Sequence, residues 1–208
     1  MTIIVHHLEN SRSQRILWML EEIGLPYEIK HYARDKKTML APPELKLIHP
    51  LGKSPVIEDD GAVIAETGAI VEYLVEKADG RLGPSAHRES VLRYRQFIHY
   101  AEGSMMPPLF AMLVAGRIPL FGKAVLKRLV PMFDVHLDYL EAELASRPWF
   151  AGDEISAADI MMSFPLEAAR SRAGLGPSRP ATTAWLAKIH ARPGYQTALA
   201  RGGPYAFA

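Results

Sequence analysis

The hydrophobic and polar positions divide the chain into two halves of different character. Thr2 to His7 (TIIVHH) is a β-branched run and reads as a short buried strand. A loop follows over Leu8 to Ser11, then a helix to about Ile23 with Ile16, Leu17, Leu20 and Ile23 as its inner stripe. Gly24 suits the residue after the helix and Pro26 ends it. Tyr27 to Tyr32 alternates and reads as a second strand. Residues 33–48 are polar, carry Pro42-Pro43 and read as a loop with at most a short helix near Glu44 to Leu47. Val56 to Glu58 and Ala62 to Ala65 read as a hairpin about Asp59-Asp60-Gly61, because Asp-Gly between apolar runs supplies the positive φ angles of a tight turn. Glu66 and Thr67 then open a helix over Gly68 to Ala78, with Ile70, Val71 and Leu74 facing inward.

Beyond Asp79–Ser85 (DGRLGPS), which reads as a linker, no strand pattern persists. Arg88 to Gly103 is helical, Pro107-Pro108 kinks or interrupts it, and Phe110 to Gly116 resumes it. Gly122 to Ser146 is a long amphipathic helix, with Val125, Leu129, Met132, Phe133, Leu137, Leu140 and Leu144 near helical spacing and Pro131 as a possible kink. Ile155-Ser156-Ala157-Ala158-Asp159-Ile160 carries a complete helix start: Ser156 caps and Asp159 answers it. Losing the Ser156 hydroxyl should cost about 1 kcal/mol. Thr183 to Ala191 and Tyr195 to Ala200 are short final helices about Arg192-Pro193-Gly194. The expected organisation is α/β plus all-α. A thioredoxin-like layer with a mixed four-stranded sheet spans 1–79, a linker 80–86, and an all-helical domain 87–208.

Composition narrows the chemistry. The 208 residues are enough for a substantial core, and a net charge of +1 makes no case for nucleic acid or an anionic membrane as partner. The chain has no cysteine, which excludes disulfides, cysteine nucleophiles and thiolate metal sites; thiol chemistry must use a thiol carried by the ligand. The histidines are scattered, and the adjacent His6 and His7 face opposite ways on a strand, so no metal site is expected. No apolar run approaches the roughly 20 residues of a membrane span, and the N-terminal stretch lacks the layout of a signal peptide; a cytoplasmic protein is expected. Gly52-Lys53-Ser54 resembles the end of a phosphate-binding loop, but Leu47 stands where that motif needs glycine and Pro55 follows where it needs a helix.

The stretch His49–Thr67 concentrates the remaining chemistry. Ser54-Pro55 enters a strand, where proline is tolerated only at an edge or start. Glu66-Thr67 sets a carboxylate and a hydroxyl at a strand-to-helix junction, as an N-cap pair or as ligand-binding groups. Ser11-x-x-Gln14 reads as a capping box, yet a serine at a helix N-terminus also points where an anion would sit.

These pieces together resemble the cytosolic glutathione S-transferases along almost the whole chain. The resemblance is carried by Ser11 before the first helix, S-P-V at 54–56, E-T at 66–67, WFAGDEISAAD at 149–159 and RPGY at 192–195. Through HxLExSRSxRILW at 6–18 it is most similar to the bacterial and fungal branch that includes the yeast Gtt-type transferases. The resemblance implies a glutathione transferase that conjugates glutathione thiolate to electrophilic small molecules. A glutathione-dependent peroxidase and a non-catalytic binding or regulatory protein are the alternatives. It implies a cis Pro55, Val56 pairing its backbone with the cysteinyl unit, Glu66 and Thr67 holding the γ-glutamyl group, and Lys53 meeting a carboxylate. Ser11 takes the place of the catalytic serine of theta-like classes, with Asn10 and Ser13 as its neighbours. Met105, Met106, Phe110 and Met112 are candidates for an apolar wall against the second substrate, or for core. Glutathione would serve as co-substrate with no further cofactor, in a two-fold homodimer.

Overall fold

The computed structural model describes residues 2–207; Met1 and Ala208, the outer ends of the two expected domains, lie outside the described residues. The chain forms two compact units. The first runs to Gly83 and takes the chain up again from His190 to Ala206; the second spans Pro84–Ile189 with Phe207.

The first unit is built on a four-stranded mixed sheet in the order β2-β1-β3-β4. Its strands are β1 (Ile3–Leu8), β2 (Tyr27–Tyr32), β3 (Val56–Asp59) and β4 (Ala62–Ala65). β1 runs parallel to β2 with Ile3 opposite Tyr27, and antiparallel to β3 with His6 opposite Val56. Between β3 and β4, Asp60 (φ 49°) and Gly61 (φ 82°) both take positive φ, the signature of the two-residue turn whose twist matches a hairpin. Helix α1 (Ser13–Ile23) follows β1, the short α2 (Leu45–Ile48) lies in the long connection, and α3 (Thr67–Lys77) follows β4. The expected α1 stripe of Ile16, Leu17, Leu20 and Ile23 is fully buried. Each such side chain contributes about 1.5–3 kcal/mol by leaving water, so this stripe anchors the helix to the sheet. Gly24 closes α1 in the left-handed region, its N–H bonded to the Leu20 carbonyl.

A C-terminal helix, here α9 (Pro193–Gly202), completes this unit by packing on α1. Arg192 forms a two-pronged pair with Glu22, both contacts at 2.7 Å, and Tyr195 meets Trp18 edge-on at 5.4 Å. At the far end Arg201 bonds Glu21 at 2.9 Å and the Tyr27 carbonyl at 3.0 Å. Gly202 is required for the approach, since a Cβ there would lie 2.6 Å from Gln14 Oε1 and 2.9 Å from Leu17 Cδ1. A division of the chain at the linker does not anticipate this return, because the contacts that create it join residues some 170 positions apart.

The second unit holds α4 (Arg88–Tyr100), a π-helical turn (Ala101–Met105), α5 (Met106–Ala115), α6 (Gly122–Ser146), α7 (Ala157–Arg172) and α8 (Pro180–His190). Pro107 and Pro108 do not interrupt a helix: they occupy the first turn of α5, where a missing N–H costs nothing. The change of register falls one step earlier, in the π-helical turn. On α6 the stripe from Phe133 to Leu144 is buried as expected, whereas Val125 and Met132 are exposed.

Candidate active site

Three segments converge at the C-terminal end of β1. The first is the connection from β1 to α1. Asn10 sits at φ 49°, and its side-chain carbonyl accepts the Ala206 N–H at 2.7 Å. Arg34 pins the same turn, donating to the backbone carbonyls of Glu9 at 3.1 Å and Asn10 at 3.3 Å. Ser11 follows, only 5 % exposed. The expected capping box does not form. Arg12 occupies the N-cap position without a side-chain cap, and the buried Gln14 amide has no hydrogen-bond partner among the described residues. Gln14 instead turns toward α9, where Gly202 leaves room for it. Ser11 Oγ accepts the Ser13 N–H at 3.2 Å and lies 2.7 Å from Ser13 Oγ.

Behind Ser11 lies a buried polar chain that the composition of the loop does not reveal. Ser13 Oγ is 2.9 Å from His7 Nδ1 and accepts the Leu8 N–H at 3.2 Å. The His7 ring also lies against Gly202, where a Cβ would stand 3.4 Å from its Nε2. Burial, with a smaller contribution from neighbouring His31, lowers the His7 pKa to about 4, so the ring is neutral at pH 7. His6, one residue earlier, faces the other side of the sheet and bonds Tyr32 at 2.8 Å and Glu58 at 2.6 Å. Strand alternation separates the two rings. It was also the one signal in the sequence able to place His7, with Ile3 and Val5, on the α1 side.

The second segment is Ser54-Pro55-Val56. The Ser54–Pro55 bond is cis, as the resemblance implies. Ser54 Oγ donates to the His6 carbonyl at 2.8 Å and accepts the Leu8 N–H at 3.3 Å. A single backbone N–H, that of Leu8, is therefore shared between the Ser13 and Ser54 hydroxyls and ties the two segments together. Val56 is buried and flanked by His6 on one side and Ala65 on the other. A residue in a central strand gives its backbone groups to its neighbours. Ser54 and Pro55 lie outside the ladder, and of the two only the half-buried Ser54 has a backbone N–H.

The third segment is the start of α3. Glu66 holds the N-cap position at φ 71°, ψ 122°, a region that costs a residue with a side chain about 1–3 kcal/mol. It does not act as a cap. Glu66 is exposed and Thr67 buried, and neither side chain has a hydrogen-bond or ion-pair partner among the described residues. The same holds for the exposed Lys53. In the helical unit, Met105, Met106 and Met112 are buried and Phe110 is 59 % exposed. Among the described residues no three His, Cys, Asp or Glu side chains cluster as metal ligands, and no helix is long and apolar enough to cross a membrane.

Comparison with known proteins agrees with this architecture. The model of the glutathione S-transferase N-terminal domain matches residues 2–76, and that of the glutathione S-transferase C-terminal domain matches residues 104–193. Glutathione S-transferase 3 of Schizosaccharomyces pombe is 40 % identical over 182 residues, covering 81 % of this chain and 74 % of that protein. Glutathione S-transferase 1 of Saccharomyces cerevisiae is 32 % identical over 216 residues, covering 93 % of this chain and 92 % of that one. A crystal structure of a glutathione S-transferase from Actinobacillus pleuropneumoniae superposes with a TM-score of 0.89 at 31 % identity, over 99 % of this chain and 95 % of that one. By both of its domains and by its fungal and bacterial relatives, the chain belongs to the glutathione S-transferase family.

Proposed function

We propose that the protein is a glutathione transferase that binds glutathione between the cis-Pro55 turn and the start of α3, with the sulfur toward Ser11. One observation carries this reading. Lys53, Glu66 and Thr67 are a cation, an anion and a hydroxyl without partners among the described residues, and Glu66 itself is held in a costly backbone conformation. Polar groups that contribute nothing to folding are available to a ligand, and backbone strain of this kind concentrates at binding sites. Glu66 and Thr67 take the γ-glutamyl amino and carboxylate groups, and Lys53 a carboxylate. The main chain at Ser54-Pro55-Val56 pairs with the cysteinyl unit. Of these three residues Ser54 offers the free backbone.

The chemistry needs an anion-stabilising donor. A free thiol ionises near pH 8.5, and lowering that by two pH units requires about 2.7 kcal/mol of preference for the thiolate. A helix N-terminus supplies roughly 0.3–1 kcal/mol, up to about 2 when partly buried. A hydrogen bond to an anion supplies about 1.5–3 kcal/mol. The helix alone falls short, and the helix with the Ser11 hydroxyl suffices. The thiolate then attacks an electrophilic carbon of the second substrate. We place the protein in the cytoplasm as a homodimer, with glutathione as co-substrate and no further cofactor.

Retention on immobilised glutathione and conjugation of a generic aryl halide are the expected results, and absence of both would sink the reading. Ser11→Ala should raise the ionisation pH of bound glutathione and cut the conjugation rate by about one to two orders of magnitude, the equivalent of one anionic hydrogen bond.

A further inference from the structure

We propose that His7 is a positioning residue of the thiolate site: through Ser13 it sets which way the Ser11 hydroxyl points, so that the resting enzyme presents Ser11 as an acceptor and reverses the chain once the bound sulfur is ionised. This rests on the assignment of Ser11 as the group that faces the sulfur.

The direction of each hydrogen bond follows from its partners. Nε2 is the His7 nitrogen that faces the Gly202 backbone, whose carbonyl can only accept, so Nε2 carries the proton. The ring is neutral, hence Nδ1 is a bare acceptor and at 2.9 Å draws the Ser13 O–H in preference to the Leu8 carbonyl, which lies 3.3 Å from the same hydroxyl. With its proton committed, Ser13 Oγ is an acceptor toward the Leu8 N–H and toward Ser11. The Ser11 hydroxyl therefore donates inward across 2.7 Å and keeps a lone pair for the ligand. Such a serine receives the S–H of neutral glutathione, the dominant form at pH 7. It cannot donate to a thiolate without turning its proton outward. Reversal leaves Ser13 donating to Ser11, and neither inner acceptor, His7 Nδ1 nor the Leu8 carbonyl, then receives the Ser13 proton.

The ring is not the final base. Carrying the thiol proton through Ser11 and Ser13 to Nδ1 would balance, since each serine gives one proton and receives one. The buried ring, however, titrates near 4, more than four pH units below a free thiol near 8.5. The proton leaves to solvent, and His7 acts only on the direction of the chain. The groups around the ring fit that role. From β2, His31 faces it edge-on at 5.7 Å; α1 offers Ser13 and the amide of Gln14; α9 offers the Gly202 carbonyl. His31 is the titratable group that bears on it.

Removing the inner acceptor should make reversal easier and lower the ionisation pH of bound glutathione. His7→Phe keeps a ring without nitrogen, and Ser13→Ala removes the group that holds the Ser11 proton. The thiolate ultraviolet difference spectrum of the glutathione complex, titrated with pH, reads the effect; glutathione affinity by calorimetry and a thermal melt report on the fold. The shift expected in each variant is about one pH unit downward, tenfold in the ionisation constant, from freeing one buried acceptor, with affinity near wild type. Ser11→Ala should shift it upward, and Ser11→Ala/Ser13→Ala should match Ser11→Ala alone. If Ser11→Ala raises the value while Ser13→Ala and His7→Phe leave it unchanged or raise it, the inference fails and the Ser11 assignment stands. If Ser11→Ala leaves the value unchanged, the Ser11 assignment fails and the inference with it. Should His7→Phe not fold, Ser13→Ala decides.

Discussion

Two helix starts that look alike in sequence, Ser156-x-x-Asp159 at α7 and Glu66-Thr67 at α3, are used in opposite ways. At α7 every polar atom is committed inward. Asp159 is fully buried and accepts the Phe150 N–H at 3.0 Å, the Ser156 N–H at 2.9 Å and the Ser156 hydroxyl at 3.0 Å. At α3 the carboxylate and the hydroxyl have no partner among the described residues, and the backbone at Glu66 is held at φ 71°. A helix start whose side chains satisfy their own backbone serves folding. One whose side chains are left over, in a conformation that costs energy, is kept for something outside the chain.

The largest expected break of this contrast is Asp159→Ala. It orphans three buried donors at once and should lower the unfolding free energy by about 4 kcal/mol, read as a fall in the urea midpoint. Thr67→Val and Glu66→Gln test the other side. Each should weaken glutathione binding roughly ten- to a hundredfold, about 1.5–3 kcal/mol, with the unfolding free energy from urea within about 0.5 kcal/mol of wild type. A loss of stability without loss of affinity would erase the distinction. Ser156→Ala should cost about 1 kcal/mol of stability and leave glutathione affinity unchanged. Glu66→Gly should sharpen the contrast in the opposite direction. Glycine accepts positive φ freely but loses more entropy on folding, so a net gain of about 0.5–1 kcal/mol is expected, together with weaker glutathione binding.

Asp159 also adds a pH signature. Burial outweighs its hydrogen bonds and raises its pKa to about 6 from the ordinary carboxylate value of about 3.8. A carboxyl group raised in the fold binds its proton more tightly there than in the unfolded chain. Its contribution to stability is therefore present below about pH 4 and is lost as pH rises from about 4 to about 6. The urea midpoint of the wild type relative to Asp159→Asn should fall across that window.

The elements were legible because their signals are local. The hairpin turn at Asp60-Gly61, the α1 stripe and the helix start at Ser156 depend on neighbours within a few residues, and the structure shows each of them. Readings failed where a distant segment competed. Ser11 and Gln14 have the spacing of a capping box, but α9 draws Gln14 toward Gly202 and His7 draws Ser13, leaving Ser11 in a different network. The pairing of Val56 with both neighbouring strands, which leaves the backbone of Ser54 outside the ladder, is likewise set by segments distant in sequence. Val125 and Met132 have helical spacing, but the buried apolar stripe of α6 begins at Phe133.

The amino-acid sequence by itself determined the two kinds of architecture, the turn types, the helix starts, the absence of a protein thiol and the family. These follow from periodicity, backbone preference and composition, which act over a few residues or over the whole chain at once. Only the tertiary structure decided that the C-terminal helix belongs with the first sheet, that Glu66 and Thr67 are left uncommitted, and that Ser11 is backed by Ser13 and His7. Those outcomes depend on which polar groups compete for the same partner. Around Ser11 that competition is settled by the packing of α9 on α1 and the end of β1, which the chain itself keeps far from α9.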